Sequence, residues 1–196
     1  MFLASRPSEE KIRQLITAQR DAPFSYDEVG ATRGEFPAGY GALRADSELG
    51  RGENYFTKAC AAVREWKMFE VPNLRLHFPA TPIEAGNVVA VLARHFGFWS
   101  LNFCRIVYVV DEDGPVRRFG FAYGTLREHA ERGEERFVVE WDRNSDRVSY
   151  HIASFSRPAG VVVLAAPIAR LLQKQFLRES VNAMRRATTC ATSDKN

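Results

Sequence analysis

The spacing of apolar residues changes period twice along the chain. Near the N-terminus, Ile12, Leu15 and Ile16 share one face of a helix expected over Pro7 to Gln19. Ser5 or Ser8 can cap it, and Glu9 and Glu10 suit its positive end. Phe24 to Val29 reads as a short strand. Ala31 to Gly52 carries Gly34, Gly39, Gly41, Gly50, Gly52 and Pro37, and is expected to be a long loop of the kind that often serves function. Glu53 to Phe69 returns to helical spacing, with Phe56, Ala59, Cys60, Val63 and Trp66 or Lys67 on one side and Pro72 as the stop signal.

From Leu74 to Ser156 the period is two. Six strands are expected: Leu74–Phe78, Asn87–Phe96, Leu101–Val110, Val116–Thr125, Glu135–Trp141 and Arg147–Phe155. The breakers between them, such as Asp111-Glu112-Asp113-Gly114 and Asp142-Arg143-Asn144-Ser145-Asp146, are turn-like, so the strands should form antiparallel hairpins. Helical spacing resumes from Ala159 to Arg186, where Pro167 either opens the helix or kinks it. That helix should bury Ile168, Leu171 or Leu172, Phe176 and Met184. The order predicts an α+β domain over residues 1–187, with about seven curved antiparallel strands around the long C-terminal helix and a disordered tail over 188–196. In Phe119-Gly-Phe-Ala-Tyr-Gly-Thr125 the bulky residues share one face, leaving Gly120, Ala122 and Gly124 on a small face open to close approach.

Composition narrows the function. Of 196 residues, 45% are hydrophobic and 26% charged, as in ordinary globular proteins. Lys plus Arg number 27 against 24 Asp plus Glu, and a net +3 spread along the chain argues against a nucleic-acid partner. No segment reaches the length of an apolar bilayer span. Three cysteines, without a CxxC pair, make no disulfide framework and suggest a reducing, cytoplasmic setting. Cys60 and Cys104 are expected to be unreactive, with Cys104 buried and Cys190 the accessible thiol.

Nucleotide-binding, serine-hydrolase and zinc-protease motifs are missing, and the four histidines lack metal-ligand spacing, so neither a metal nor a cofactor is expected. The polar stretch from Tyr123 to Phe137 is the chemical candidate. Tyr123, His129, Glu131, Glu134 and Glu135 place an imidazole among carboxylates, a combination that transfers protons or orients a polar ligand. Thr125-Leu-Arg-Glu128 also fits a capping box, so the same residues form a capped helical turn ending at Gly133 on a purely structural reading. Arg105 is either a buried charge needing a carboxylate or anionic ligand, or a surface residue, depending on which strand face points inward. With Trp66, Trp99, Trp141 and 14 phenylalanines, there is aromatic mass for a core or for an apolar pocket.

Several motifs together, Phe24-Ser-Tyr-Asp-Glu-Val-Gly30, Pro37-Ala-Gly-Tyr40, Gly50-Arg-Gly-Glu53, Cys104-Arg-Ile-Val-Tyr-Val-Val-Asp111, Phe119-Gly-Phe-Ala-Tyr-Gly-Thr-Leu126 with His129, and Phe155-Ser-Arg-Pro158, resemble uncharacterised protein family 0548 from about Phe24 to Met184. That family is grouped with the START-like, or birch-pollen-allergen-like, helix-grip proteins. The resemblance implies a curved sheet gripping a C-terminal helix, often around a cavity for apolar ligands, plus an extra N-terminal helix here. It transfers no catalytic residues. The expected function is binding of a hydrophobic or lipid-like small molecule, with Tyr26, Trp99, Arg105, Tyr123, Thr125 and His129 as candidate contacts. The alternatives are an enzyme using Tyr123, His129 and Glu134, and a scaffold with a filled core.

Overall fold

In the computed structural model, which describes residues 1–78, 80–95, 97–159 and 166–189, the period-two region forms one curled antiparallel sheet. Its strands are β1 (Phe2–Leu3), β2 (Gly41–Arg51), β3 (Leu74–His77), β4 (Val88–His95), β5 (Phe98–Glu112), β6 (Val116–Thr125), β7 (Glu131–Asp142) and β8 (Arg147–Pro158). Seven run in the order β2-β8-β7-β6-β5-β4-β3, and the two-residue β1 pairs with the start of β5. The helices are α1 (Glu9–Ala18), α2 (Glu53–Arg64) and α3 (Ala166–Thr189). No helix among the described residues is long and apolar enough to cross a membrane.

Each face of the sheet buries a different set of side chains. On the concave side, Val89, Val91, Cys104, Ile106, Phe119, Phe121, Tyr123, Phe137 and Val139 meet α2 and α3. On the convex side, Ala90, Leu92, Leu101, Phe103 and Leu126 are covered by Ile12, Leu15 and Ile16 of α1. A register shift between Ile106 and Tyr108 reverses the parity of β5, so Tyr108 and Val110 join the convex face with Ala122 and Val138. The helix expected at residues 7–19 is thus a third layer on the back of the grip.

Four expectations change. The segment from Ala31 to Gly52 is not a loop throughout, because β2 pairs with β8 over its whole length. Its inward positions are Leu43, Ala45, Ser47 and Leu49, an alternation that the surrounding glycines mask. Phe24 to Val29 is not a strand; Phe24 alone makes an isolated bridge, to Leu126. The second helix ends at Arg64, where Trp66 takes a left-handed φ of 57° and a 3-10 turn at Lys67–Phe69 follows. Trp66 is buried there and donates its Nε1 hydrogen to the Thr81 carbonyl at 3.0 Å. No helical turn caps the β6–β7 connection, which is a tight turn with Glu128 at φ 69°.

The long helix is buried unequally. Leu177, Ser180, Ala183, Met184 and Thr188 are buried, whereas Ile168 is 50% exposed, against expectation; of the pair Leu171 or Leu172, Leu171 is 66% exposed and Leu172 is partly buried. Tyr150 and Ser180 share a buried hydrogen bond of 3.0 Å that fixes the docked half to β8. Cys190 and residues 191–196 lie outside the described residues. Leu177→Ala and Met184→Ala should each destabilise the protein by about 2–4 kcal/mol, as buried truncations do. Leu171→Ala should stay within about 0.5 kcal/mol, and urea melts of the three variants would show the contrast.

Candidate functional site

Because only the C-terminal half of α3 is packed down, its N-terminal half spans a cavity of about 840 Å³ above the concave face. Ile168, Leu172 and Phe176 roof it, Phe69 and Leu74 close one side, and Val91, Ala93 and Cys104 form part of its floor. Phe2 and Phe98, stacked edge to face at 5.9 Å, mark its exposed end together with Ile168. Among the described residues, no lysine or arginine lines it.

The polar stretch seen in the sequence divides across this wall. Glu134 and Glu135 are adjacent in β7 and therefore point to opposite faces. Glu134 turns to the convex side, where it is 3% exposed and takes four hydrogen bonds. The donors are the Tyr26 hydroxyl and the Gly30 N–H, both at 2.7 Å, the Thr32 N–H at 3.0 Å, and the Thr32 hydroxyl. Glu135 turns to the cavity, where the Tyr123 hydroxyl donates to its Oε2 at 2.8 Å. Burial among apolar groups raises the Glu135 carboxyl to about 7, against which the Tyr123 hydrogen bond acts. Burial likewise pushes the Tyr123 hydroxyl and the Cys104 thiol well above their usual values, so both stay protonated.

His129 borders the same cavity. Its Nδ1 accepts the Glu131 N–H at 2.9 Å, which leaves the ring proton on Nε2. Burial, aided by the N-terminal ammonium, drives this imidazole down to about 3, so it is neutral. The Glu131 carboxyl is raised by burial, against the opposing pull of Ser156, Arg170 and Gln173, and its Oε2 is enclosed without a hydrogen-bond partner. Thr125 lines the cavity too, but its hydroxyl bridges the N–H and carbonyl of Gly133 and meets Ser25, tying the hairpin together.

The other candidates lie elsewhere. Tyr26 is buried on the convex face as a donor to Glu134, in space left by Gly124, where a Cβ would sit 2.2 Å from the Tyr26 hydroxyl. Trp99 packs with Leu101 and Phe103 on the convex face. Arg105 lies outside the cavity lining: it donates to the Gln19 carbonyl at 2.9 Å and to the Arg20 carbonyl, closing the C-terminal end of α1. The small face of Gly120, Ala122 and Gly124 therefore admits the N-terminal segment, while the bulky face looks into the grip. Sequence reasoning missed Phe98, Ser100 and Asn102, although they alternate in phase with Cys104 and the polar pair among them signals an inward face that is not fully packed.

The profile of a domain of unknown function, DUF1990, matches residues 25–183. The chain is 37% identical to a UPF0548 protein of Dictyostelium discoideum, over 95% of each chain. It is 33% identical to one of Arabidopsis thaliana, over 94% of this chain and 96% of that one. The chain belongs to the UPF0548 family. Among solved structures, Ara h 8.0201 superposes with a TM-score of 0.52 at 14% identity, covering 78% of this chain and 99% of that one. TTHA0849 from Thermus thermophilus gives 0.51 at 13%, over 78% and 100%. These likenesses show the fold, which is the START-like, birch-pollen-allergen-like helix grip expected from the sequence.

In this UPF0548 chain the two neighbouring carboxylates should respond oppositely to mutation. Glu134→Ala strands buried donors on Tyr26, Gly30 and Thr32 and should cost about 3 kcal/mol or more. Glu135 has a raised folded value, so its contribution is fully present at low pH and is lost as pH rises through about 7. Glu135→Gln should thus be more stable than the parent at pH 8 by about 1–3 kcal/mol, with the advantage gone by pH 4. His129 runs the other way, losing its contribution as pH falls from the ordinary imidazole range toward about 3. Thermal melts of parent and variant at matched pH isolate the Glu135 contribution.

Proposed function

We propose that this protein binds a hydrophobic small molecule in the cavity between the sheet and α3. The observation that carries this is the 840 Å³ cavity itself, lined mainly by aliphatic and aromatic side chains and supplied with a few polar groups at Tyr123, Glu135 and His129. Volume and lining of this kind are those of ligand sites, and a folding core of this composition would otherwise have collapsed to close packing. The helix-grip likeness supports the reading by analogy of fold alone. Cys60 and Cys104, both free and buried, fit a cytoplasmic setting.

A second reading is an enzyme acting on such a ligand. It draws support from the hydrogen-bonded Tyr123–Glu135 pair, since a carboxyl held near 7 is suited to general acid–base chemistry. Of the carboxylates expected for that role, Glu131, Glu134 and Glu135, Glu134 is engaged on the other face, and this reading rests on Glu135.

Nile red, a neutral apolar dye, tests the binding reading. The parent protein should show saturable fluorescence enhancement at one site. Ala93→Trp, which projects an indole into the cavity from β4, should weaken that binding at least about tenfold while melting cooperatively. Non-saturable dye response in the parent, or unchanged binding in the filled variant, would refute it.

A further inference from the structure

The cavity's polar groups have a charge bias that its apolar wall does not explain. Glu134, on the convex face, receives four donors. Glu135, one residue away, receives the Tyr123 hydroxyl on Oε2, and among the described residues no group donates to its Oε1. Glu131, further toward the β6–β7 turn, has its Oε2 enclosed and unpartnered. The chain therefore satisfies one buried carboxylate completely and leaves two at the cavity short of donors.

No cation stands beside Glu135: among the described residues, neither lysine nor arginine lines the space. The groups facing Glu135 from neighbouring elements are Cys104 of β5, Tyr123 of β6 and Tyr150 of β8, all held protonated and neutral by burial. The described residues that α3 contributes to the lining, Ile168, Ala169, Leu172, Gln173, Phe176 and Leu177, carry no charge. His129 is neutral with Nδ1 already accepting. Arg170, the cation that acts on Glu131, is outside the lining and donates to the Ala42 carbonyl at 2.5 Å.

Resting on the cavity reading above, we propose that the ligand is an apolar amine, its ammonium received by Glu135 beside Tyr123, and that apolar acids are rejected. A protonated amine supplies the missing donor to Oε1 and the missing positive charge, in a medium where both interactions are strong. A fatty-acid carboxylate would meet Glu135 without a cation beside it, so the same carboxyl acts against the wrong head group. The apolar body lies against Phe69, Leu172 and Phe176.

Decylamine, decanol and decanoate share one tail and differ in head group, so calorimetric titration of the three separates tail from head. At pH 8 the amine should bind at least about 30-fold more tightly than decanoate. Its affinity should rise between pH 6 and pH 8 as Glu135 ionises, while that of decanol does not. Glu135→Gln should bring decylamine to within about threefold of decanol and leave decanol unchanged, whereas Glu131→Gln should retain most of the preference. Equal binding of amine and alcohol, tighter decanoate, or a preference abolished by Glu131→Gln in place of Glu135→Gln overturns the proposal. Should Glu135→Gln fail to fold, the pH series on the parent decides alone. If Nile red binds but none of the three does, the amine assignment falls and the cavity reading stands; if Nile red also fails, both fall.

Discussion

Four donors converge on the carboxylate of Glu134, and the convex side of the molecule is organised around them. The segment from Ser25 to Arg33 has almost no ladder of its own. Its backbone N–H groups at Gly30 and Thr32 are satisfied by this side chain, where a regular element would have used carbonyls. Thr32 extends the contact to the Tyr108 hydroxyl at 2.8 Å, on the part of β5 whose parity the register shift reversed. Gly124 is needed because Tyr26 occupies the place of its side chain. A bulge, a glycine and a buried charge in three different strands thus serve one attachment.

The concave side follows a different logic. The helix grip is anchored where Ser180, Ala183, Met184 and Thr188 are buried, and it stands clear of the sheet where Ile168 and Leu172 lie. One helix therefore does two jobs, sealing the core with its C-terminal half and roofing the cavity with its N-terminal half. The exposed apolar residues at Ile168, Phe2 and Phe98 belong to that second half of the design, since a roof over an accessible space cannot be packed on both sides.

Much of this was legible in the sequence because period-two and period-3.6 patterns survive wherever one face is buried. The strand from Val116 to Thr125 has the expected bounds, and the helix-grip order follows from the hairpin breakers. β2 was obscured because an edge strand rich in glycine and charge carries only Leu43, Ala45 and Leu49 as its apolar set. The polar cluster was visible as a cluster, but its roles were not. Periodicity tells which residues share a face and is silent on which face is inside, so Glu134 was a natural acid–base candidate until its partners were known. Trp99 and Arg105 lie outside the cavity lining for the same reason: they are one residue out of step with Phe98, Ser100, Asn102 and Cys104. Inferring the unequal burial of α3 needs the cavity, which no local pattern encodes.

The adjacency of Glu134 and Glu135 makes the sheet's pairing behave like a parity check. Shift β7 by one residue against its neighbours and the two side chains exchange environments: the tether of the N-terminal segment would enter the cavity, and the cavity's carboxyl would face donors meant for another. Both errors occur together, so no half-correct alignment is available. Gly133 guards the frame from the turn side, because any side chain there would run into the Phe155 carbonyl, with its Cβ only 2.0 Å away. Insertions and deletions in the β6–β7 turn that keep this frame are therefore tolerable, and single-residue insertions or deletions within Gly133–Glu135 are not, whatever amino acid is added.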